Sequence, residues 1–458
     1  MADNPALIAG LGSGRPVIPV FVLDEETSGI RRRGAASRWW LHHSLAALAK
    51  HLGALNIPLI LRRGPAATVI PKLAGEIGAE AVFWNRCYEP FAVERDAAIG
   101  GALGKAGVEV QDFPATLLTE PGTIENKSGK PFKVFTPFAR AVLKQTHPDK
   151  PKAAPRAKQH PVRAASDTLA DWRLLPEHPN WASAFGEDWT PGEAGAQEKL
   201  DTFIDDALRH YPAGRNLPGQ EGVSRLSPHL HWGEISVRQV WHAVELHSGN
   251  AADIYLKELI WRDFAHQLLT QFPDLPDKPF TPRFSDFPWR KDAKALKAWQ
   301  NGQTGYPFVD AGMRQLWATG WMHNRVRMVV ASFLVKHLLL PWQEGEAWFW
   351  DCLVDADLAN NAMNWQWVAG SGADAAPYFR IFNPVLQGEK FDKDGAYVRR
   401  WVPEIAKLPD RFLHRPWEAS AEILAKAGIT LGKTYPHPIV DHEAARQRAL
   451  EALKTTRK

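Results

Sequence analysis

The sequence predicts an N-terminal α/β domain on a doubly wound parallel sheet, followed by a large all-helical domain. Three observations lead there. Short β-branched runs alternate with helical stretches up to about residue 110. A proline-rich stretch follows. From Gly195 onward apolar residues recur at spacings of three and four, with no strand alternation. A chain of 458 residues is also too long for one typical core. The expected boundaries are 1–120 for the α/β domain, 121–195 for an interdomain linker and 196–458 for the helical domain.

In chain order, residues 17–23 read as a strand, 35–52 as a helix, and 58–61 as a second strand. Residues 68–77 read as a helix, 81–84 as a third strand, 89–106 as a helix and 108–110 as a fourth strand. No glycine-rich phosphate fingerprint opens any of these helices, which argues against a dinucleotide site in this half. Pro148, Pro151, Pro155, Pro161, Pro176, Pro179 and Pro191, with scattered Lys and Arg, suit a linker running over the surface.

Hydrophobic content of 45% and charged content of 23% are ordinary for a globular protein. The net charge of +4 permits a nucleic-acid partner without requiring one. Cys87 and Cys352 stand far apart, so neither a disulfide framework nor a zinc site is expected, and no metal is assigned. The start lacks a signal-peptide pattern, and the longest apolar run, 328–340, is broken by Lys336 and His337. That run is too short to span a bilayer. A soluble, cytoplasmic protein without membrane contact is expected.

The chain holds 20 tryptophans, 17 of them from Trp172 onward. Carboxylates, amides and tryptophans alternate densely in Asp355-Ala-Asp357-Leu-Ala-Asn360-Asn361-Ala-Met-Asn364-Trp365-Gln-Trp367, followed closely by Gly372-Ala-Asp374-Ala-Ala-Pro-Tyr378-Phe-Arg380-Ile-Phe-Asn383-Pro384. A plain core asks for aliphatic residues with no polar atoms to satisfy. This mixture suits a buried, polar, planar cofactor.

Gly222-Val-Ser224-Arg225-Leu226-Ser227-Pro228-His-Leu-His-Trp-Gly233-Glu-Ile-Ser236-Val-Arg238 resembles the flavin-binding signature of the photolyase/cryptochrome family. Trp321-Met-His-Asn324-Arg325-Val-Arg327-Met328 and the Asp355 block extend the resemblance over nearly the whole chain, in order. It is similar in particular to the bacterial cyclobutane pyrimidine dimer branch. Members normally begin with a strand before the Asp-Asn-Pro-Ala-Leu that stands at residues 3–7. The first strand is therefore expected to be missing, leaving a sheet edge exposed.

The resemblance implies an FAD site formed by Tyr211, Val223, Ser224, Arg225, Leu226, Ser227, Asn324, Arg327, Asp355, Asp357 and Asn361. Hydroxyls and the Leu226 amide would take the diphosphate, and Asn361 would face flavin N5, tuning the cofactor by hydrogen bonding. Val223 replaces the usual threonine, removing one hydroxyl. Trp289, Trp342 and Trp365 match the family's electron-hopping chain. Trp299, Trp317, Trp348 and Trp350 are read as packing.

The substrate face is read at Tyr255, Glu258, Trp261 and Arg262, which spacings of three and four place together on one helix. An aromatic can stack on a flipped base, a carboxyl can bond a pyrimidine edge and an arginine can hold phosphate. Arg215, Arg325 and Gln387 join the expected DNA contacts, with Lys390, Arg399 and Arg400 as weaker candidates. Taken alone, this is equally an amphipathic helix with a surface ion pair. Asn324 with Met328, four apart, is the cyclobutane-dimer pattern; with Glu258 and Asn361 they form the expected catalytic set. His323 is read as structural.

The implied function is light-dependent splitting of cyclobutane pyrimidine dimers in single- or double-stranded DNA by electron transfer from photoexcited reduced FAD. The enzyme class is a deoxyribodipyrimidine photo-lyase acting as a monomer with no obligate protein partner. An antenna chromophore is expected in the N-terminal domain, 5,10-methenyltetrahydrofolate preferred over 8-hydroxydeazaflavin. Trp39 and Trp40 could be its platform, though helix packing explains them as well. The alternative is a cryptochrome-like flavin blue-light photoreceptor; a third reading is a non-catalytic single-strand binder using aromatic platforms.

Overall fold

The structure is a computed structural model that describes residues 1–156, 164–374 and 379–456. Pro161 and Tyr378, singled out above, lie outside them. The chain divides into two compact units. Residues 1–204, 224–273 and 354–359 form the first; residues 205–223, 274–353 and 360–458 form the second.

The first unit holds the alternating elements. Helix α1 (Pro5–Gly12) opens with Pro5 in its first turn, where a missing N–H costs nothing. The Asn4 side chain caps it by accepting from Leu7 N at 3.0 Å. Strand β1 (Val20–Leu23), helix α2 (Ala35–Gly53), strand β2 (Ile60–Arg63) and helix α3 (Ala66–Ile77) follow. Then come β3 (Ala81–Asn85), α4 (Pro90–Lys105) and β4 (Glu109–Phe113). Helix α3 stops at Gly78, whose φ of +62° a side chain would strain.

All strand pairing among these four is parallel, as the alternation predicts. It forms two separate pairs, however. β1 pairs with β2, Val20 opposite Ile60, and β3 with β4, Ala81 opposite Glu109. A ladder needs a neighbour within hydrogen-bonding reach, and among the described residues none joins β1 to β3. The pairs share a core nonetheless: Val22, Val82, Trp84 and Val110 pack on Ala66, Ala74, Ile99 and Leu103 of α3 and α4.

The stretch expected as a surface linker is anchored. Trp172 and Leu174 are buried with Leu23, Leu41, Leu45 and Leu61. Helix α5 (Phe135–Gln145) buries Phe135, Phe138 and Val142. Prolines limit regular structure here, but the apolar side chains between them still gain from leaving water.

The second unit is helical. Gly312 in the helix Pro307–Thr319 lets the helix Asn324–Ser332 approach closely: a Cβ there would stand 2.4 Å from Val326 Cγ1. Lys336 and His337 interrupt the apolar run as the sequence suggested, yet both are fully buried in the π-helical turn Phe333–His337. Lys336 Nζ donates to Ala369 O at 2.7 Å. His337 Nε2 meets His442 Nδ1 at 2.8 Å, which ties the turn to the helix His442–Thr455. Among the described residues, no helix is long and apolar enough to cross a membrane.

Burial, with His442 and Arg448 nearby, pushes the His337 imidazole down to about 3. The folded chain therefore prefers neutral His337. Its contribution is complete above the ordinary value of about 6.5 and is lost progressively as pH falls from there toward 3. Between pH 7 and pH 5 this one group should cost about 2 kcal/mol of stability. Thermal melts at the two pH values check this, and His337→Gln should flatten the difference.

Candidate active site

In the first unit, the signature segment forms a tight turn. Arg225 has φ of +53°, a left-handed conformation uncommon for a residue with a side chain. Leu226 follows in the right-handed region, at φ −83° and ψ −5°. The Leu226 amide donates back to Ser224 Oγ at 3.4 Å, closing the turn on itself. The Arg225 side chain is engaged away from that backbone, its guanidinium 4.7 Å from the Trp189 ring and 3.3 Å from Asp188.

Around the turn, Ser224 Oγ accepts from Tyr255 Oη at 2.9 Å, and Ser227 Oγ donates to Asp355 Oδ2 at 2.6 Å. Asp357 lies beside two imidazoles, His231 Nδ1 at 3.3 Å and His266 Nε2 at 3.5 Å. Burial would raise its carboxyl, but His266 and His231 hold it well below the usual carboxylate range. Glu89 goes the other way: burial and the charge of Asp357 raise it against the pull of His231, His266 and Arg33. These opposite shifts make the cluster an asymmetric acid pair.

The 22-residue helix Asn250–Gln271 carries the expected substrate face, and its residues divide. Glu258 is half-buried near Tyr255. Tyr255 itself is 4% exposed and packs on Phe203 at 4.5 Å, with its hydroxyl on Ser224. Its expected role as a stacking platform is corrected: the ring is buried, and its hydroxyl finds the partner it needs in Ser224. Arg262 is corrected similarly, since its guanidinium donates to the carbonyls of Thr116 and Leu230. Trp261 stacks flat on Phe135, 3.5 Å between ring centres and 6° between planes, so only its other face can receive a ligand.

In the second unit, Asn361 anchors the arrangement. Its Nδ2 donates to Glu346 O at 3.0 Å and to Glu346 Oε1 at 2.7 Å. One turn along the helix Leu358–Ala369, Trp365 is buried against Phe349 at 5.0 Å and Trp299 at 6.2 Å. Gly345 makes room for it, because a Cβ there would lie 2.1 Å from Trp365 Cη2. Trp342 is buried, whereas Trp289 is part-exposed and packs 4.4 Å from Phe287. Trp365 and Trp342 are equally buried, and of the three Trp289 alone is part-exposed.

Arg215, Arg325 and Arg380 share a cationic neighbourhood. Burial, then Arg215 and Arg380, lower Arg325. Arg325 also donates to Asn216 Oδ1 at 2.5 Å and lies 4.5 Å from the Phe391 ring. Arg215 lies 5.5 Å from the ring of Tyr211, which is buried. His323 is buried and pushed down to about 3 by burial and by Arg325, Arg327 and Arg215. Its Nδ1 caps the helix Asn324–Ser332 by accepting from Arg325 N. Asn324 is exposed at the start of that helix, and Met328 is half-buried one turn on.

Arg327 donates to Met322 O at 2.7 Å. Gln387 lies on the helix Pro384–Phe391, and Val223 closes the unit's first segment. Among the weaker cations, Lys390 lies 5.2 Å from the Phe391 ring and Arg400 4.9 Å from that of Trp401. Arg399 is tied to the carbonyls of Ala406 and Leu408 and to Asp410, a structural role.

The sequence reading missed Glu89 and Glu346. It quoted His231 inside a motif without giving it a task. His231 could have been found from that motif. Nothing at the level of spacing marks Glu346.

Comparison with known proteins agrees with this architecture. The FAD binding domain of DNA photolyase matches residues 255–455, and the DNA photolyase family matches residues 1–157. A deoxyribodipyrimidine photo-lyase of Agrobacterium fabrum is 51% identical, covering 100% of this chain and 96% of its own length. Cryptochrome-1 of Arabidopsis thaliana is 39% identical over 98% of this chain and 68% of its own length. The crystal structure of a bacterial class III photolyase from Agrobacterium tumefaciens superposes with a TM-score of 0.96 at 51% identity. It covers 100% of this chain and 95% of that one. Fold and site thus define a photolyase-type flavoprotein scaffold. The chain belongs to the DNA photolyase family.

Gly345→Ala should place a methyl group inside the Trp365 ring. Overpacking of that kind costs about 1–3 kcal/mol, to be read as a lowered Tm and a shifted near-ultraviolet circular dichroism band.

Proposed function

We propose that this chain is a light-dependent deoxyribodipyrimidine lyase that splits cyclobutane pyrimidine dimers in DNA. The observation that carries the reading lies on one helix. Asn250–Gln271 supplies both the half-buried Glu258 and the Tyr255 hydroxyl that donates to Ser224 in the signature turn. A single rigid element thereby serves substrate and cofactor, as a preorganised site requires.

The residues fit FAD by the chemistry of their donors. The Ser224 and Ser227 hydroxyls flank the turn at Arg225–Leu226, whose Leu226 amide donates to Ser224 Oγ. Tyr211, Val223, Asn324, Arg327, Asp355, Asp357 and Asn361 complete the proposed set. When bound, FAD would supply the light-driven electron. Glu258 would bond the dimer's polar edge and steady the added charge there. The free face of Trp261 would stack on a flipped base, flipping being the general solution for enzymes, photolyases among them, that act on bases. Asn324 and Met328 complete the proposed catalytic set, while Arg215, Arg325 and Gln387 would meet the DNA. Phosphate contacts of that kind weaken steeply with salt. Trp365, Trp342 and Trp289 would refill the cofactor with electrons from the surface.

The finer parts of the reading are a folate antenna, 5,10-methenyltetrahydrofolate, in the N-terminal domain and a monomer acting in the cytoplasm. Trp40 is fully buried with its Nε1 on Glu234, and Trp39 packs on His43 and Phe185, which favours packing over a pigment platform for both. The domain boundaries 1–120, 121–195 and 196–458 stand as part of the same proposal. The runner-up is a cryptochrome-like photoreceptor, favoured by the Arabidopsis similarity.

Purified protein should show flavin absorption bands and lose dimers from irradiated oligonucleotides only under light. Flavin without light-dependent dimer loss favours the photoreceptor, and colourless protein sinks both. Glu258→Gln should retain flavin while lowering dimer loss per photon severalfold. Trp289→Phe should slow photoreduction at least tenfold and leave repair by chemically pre-reduced protein unchanged.

A further inference from the structure

Residues 125–156 hold eight lysines and arginines against two acids, Glu125 and Asp149. That is a net charge of +6, more than the +4 of the whole chain, so the rest of the molecule is net acidic. All eight cations are exposed, and among the described residues none pairs with a carboxylate. A charge run is ordinarily a solvated or disordered tail, but this one is docked. Helix α5 turns Phe135, Phe138, Ala139 and Val142 inward, and Phe138 lies 5.4 Å from Phe264 of the helix Asn250–Gln271. Arg140 and Lys144, four apart, therefore share the opposite, exposed face. Ahead of α5 the Asn126 side chain fixes a turn by accepting from Ser128 N at 2.9 Å and Lys130 N at 3.2 Å. Lys127 and Lys130 stand exposed on that turn.

We propose that the exposed face of α5 and the Asn126 turn form a second DNA contact, gripping the duplex backbone about two to four nucleotides from the flipped dimer. The inference rests on the proposed function, which places the dimer on the open face of Trp261. Phe135, the first residue of α5, stacks on the other face of that indole. Arg140 and Lys144 follow it by about 8 and 14 Å along the helix axis, at 1.5 Å per residue. Phosphates two to four steps from a flipped base lie at a similar distance, at about 3.4 Å per step of one strand. Backbone contacts of this kind set register and orientation and carry no sequence information. Recognition is thereby divided: the Glu258 helix reads the lesion, and α5 supplies a hold that damaged and undamaged DNA share.

The test uses the full-length holoprotein in the dark, with a duplex holding one central cyclobutane dimer and the same duplex undamaged. Arg140→Ala combined with Lys144→Ala should weaken binding to both roughly three- to tenfold at low salt. The slope of log Kd against log salt should flatten by about 1 to 2, near 0.9 for each lost phosphate contact. Hydroxyl-radical footprints should lose protection on one flank of the dimer while the dimer stays covered. Dimer loss per photon at saturating DNA should not change, and Arg140→Lys should keep the wild-type slope. Lys127→Ala with Lys130→Ala tests the same face independently, through the turn. An unchanged slope and footprint in both variants overturns the proposal. Weaker binding with the full footprint kept also overturns it, since that marks a diffuse field rather than a contact. Binding to anionic lipid vesicles that the variants lose, beside an unchanged DNA slope, assigns the face to a membrane surface instead. Light-dependent repair with an unchanged slope overturns the second contact alone. The expected slope change in protein that never splits dimers leaves the contact standing and overturns the proposed function.

Discussion

Asp357 is a buried carboxylate, and a buried charge is tolerable only with partners arranged around it. His231 and His266 supply them from two separate helical segments. That demand fixes more than a pair of side chains. His231 sits in the segment that begins with the Ser224–Ser227 turn, and His266 sits on the helix that carries Tyr255 and Glu258. Satisfying one charge thus sets the relative placement of the Ser224–Ser227 turn and the helix Asn250–Gln271 within the first unit. Glu89, raised where Asp357 is lowered, belongs to the same electrostatic balance and brings the start of α4 into it.

The alternating half was legible because apolar periodicity is a local signal. Helix α2 begins at the expected residue, and the four strands fall where the β-branched runs stand. What the sequence could not show was which strands meet, since pairing is decided at long range. Parallel alternation is equally consistent with one continuous sheet and with the two pairs found. The anchoring of the linker stretch was hidden for a related reason. Prolines advertise the absence of regular structure, but they do not report where Trp172 or Phe138 is buried.

The site was legible in residue type more than in task. Motif registration brought Ser224, Ser227, Asp355 and Asp357 to notice, and two hydrogen-bonded or ion-paired groupings unite them in the first unit. It misassigned Tyr255 and Arg262, because side chains that could serve a ligand are equally able to satisfy their own fold. Helical spacing gives the face on which a residue lies. It does not say whether that face meets solvent, a hydroxyl such as Ser224 or a carbonyl such as that of Thr116. Glu346 was invisible for the opposite reason: its importance lies in what it does to a neighbour 15 residues away.

The flat contact between Trp261 and Phe135 carries one more implication. Phe135 opens α5, inside the stretch the prolines disguised, and it clamps the indole from one side. A side chain already confined by such a contact has little rotational freedom left to lose when something settles on its open face. The entropy of ordering that ring is met once, during folding, and need not be met again at each encounter. A connecting segment would thereby help set how tightly that face holds any ligand that stacks on it.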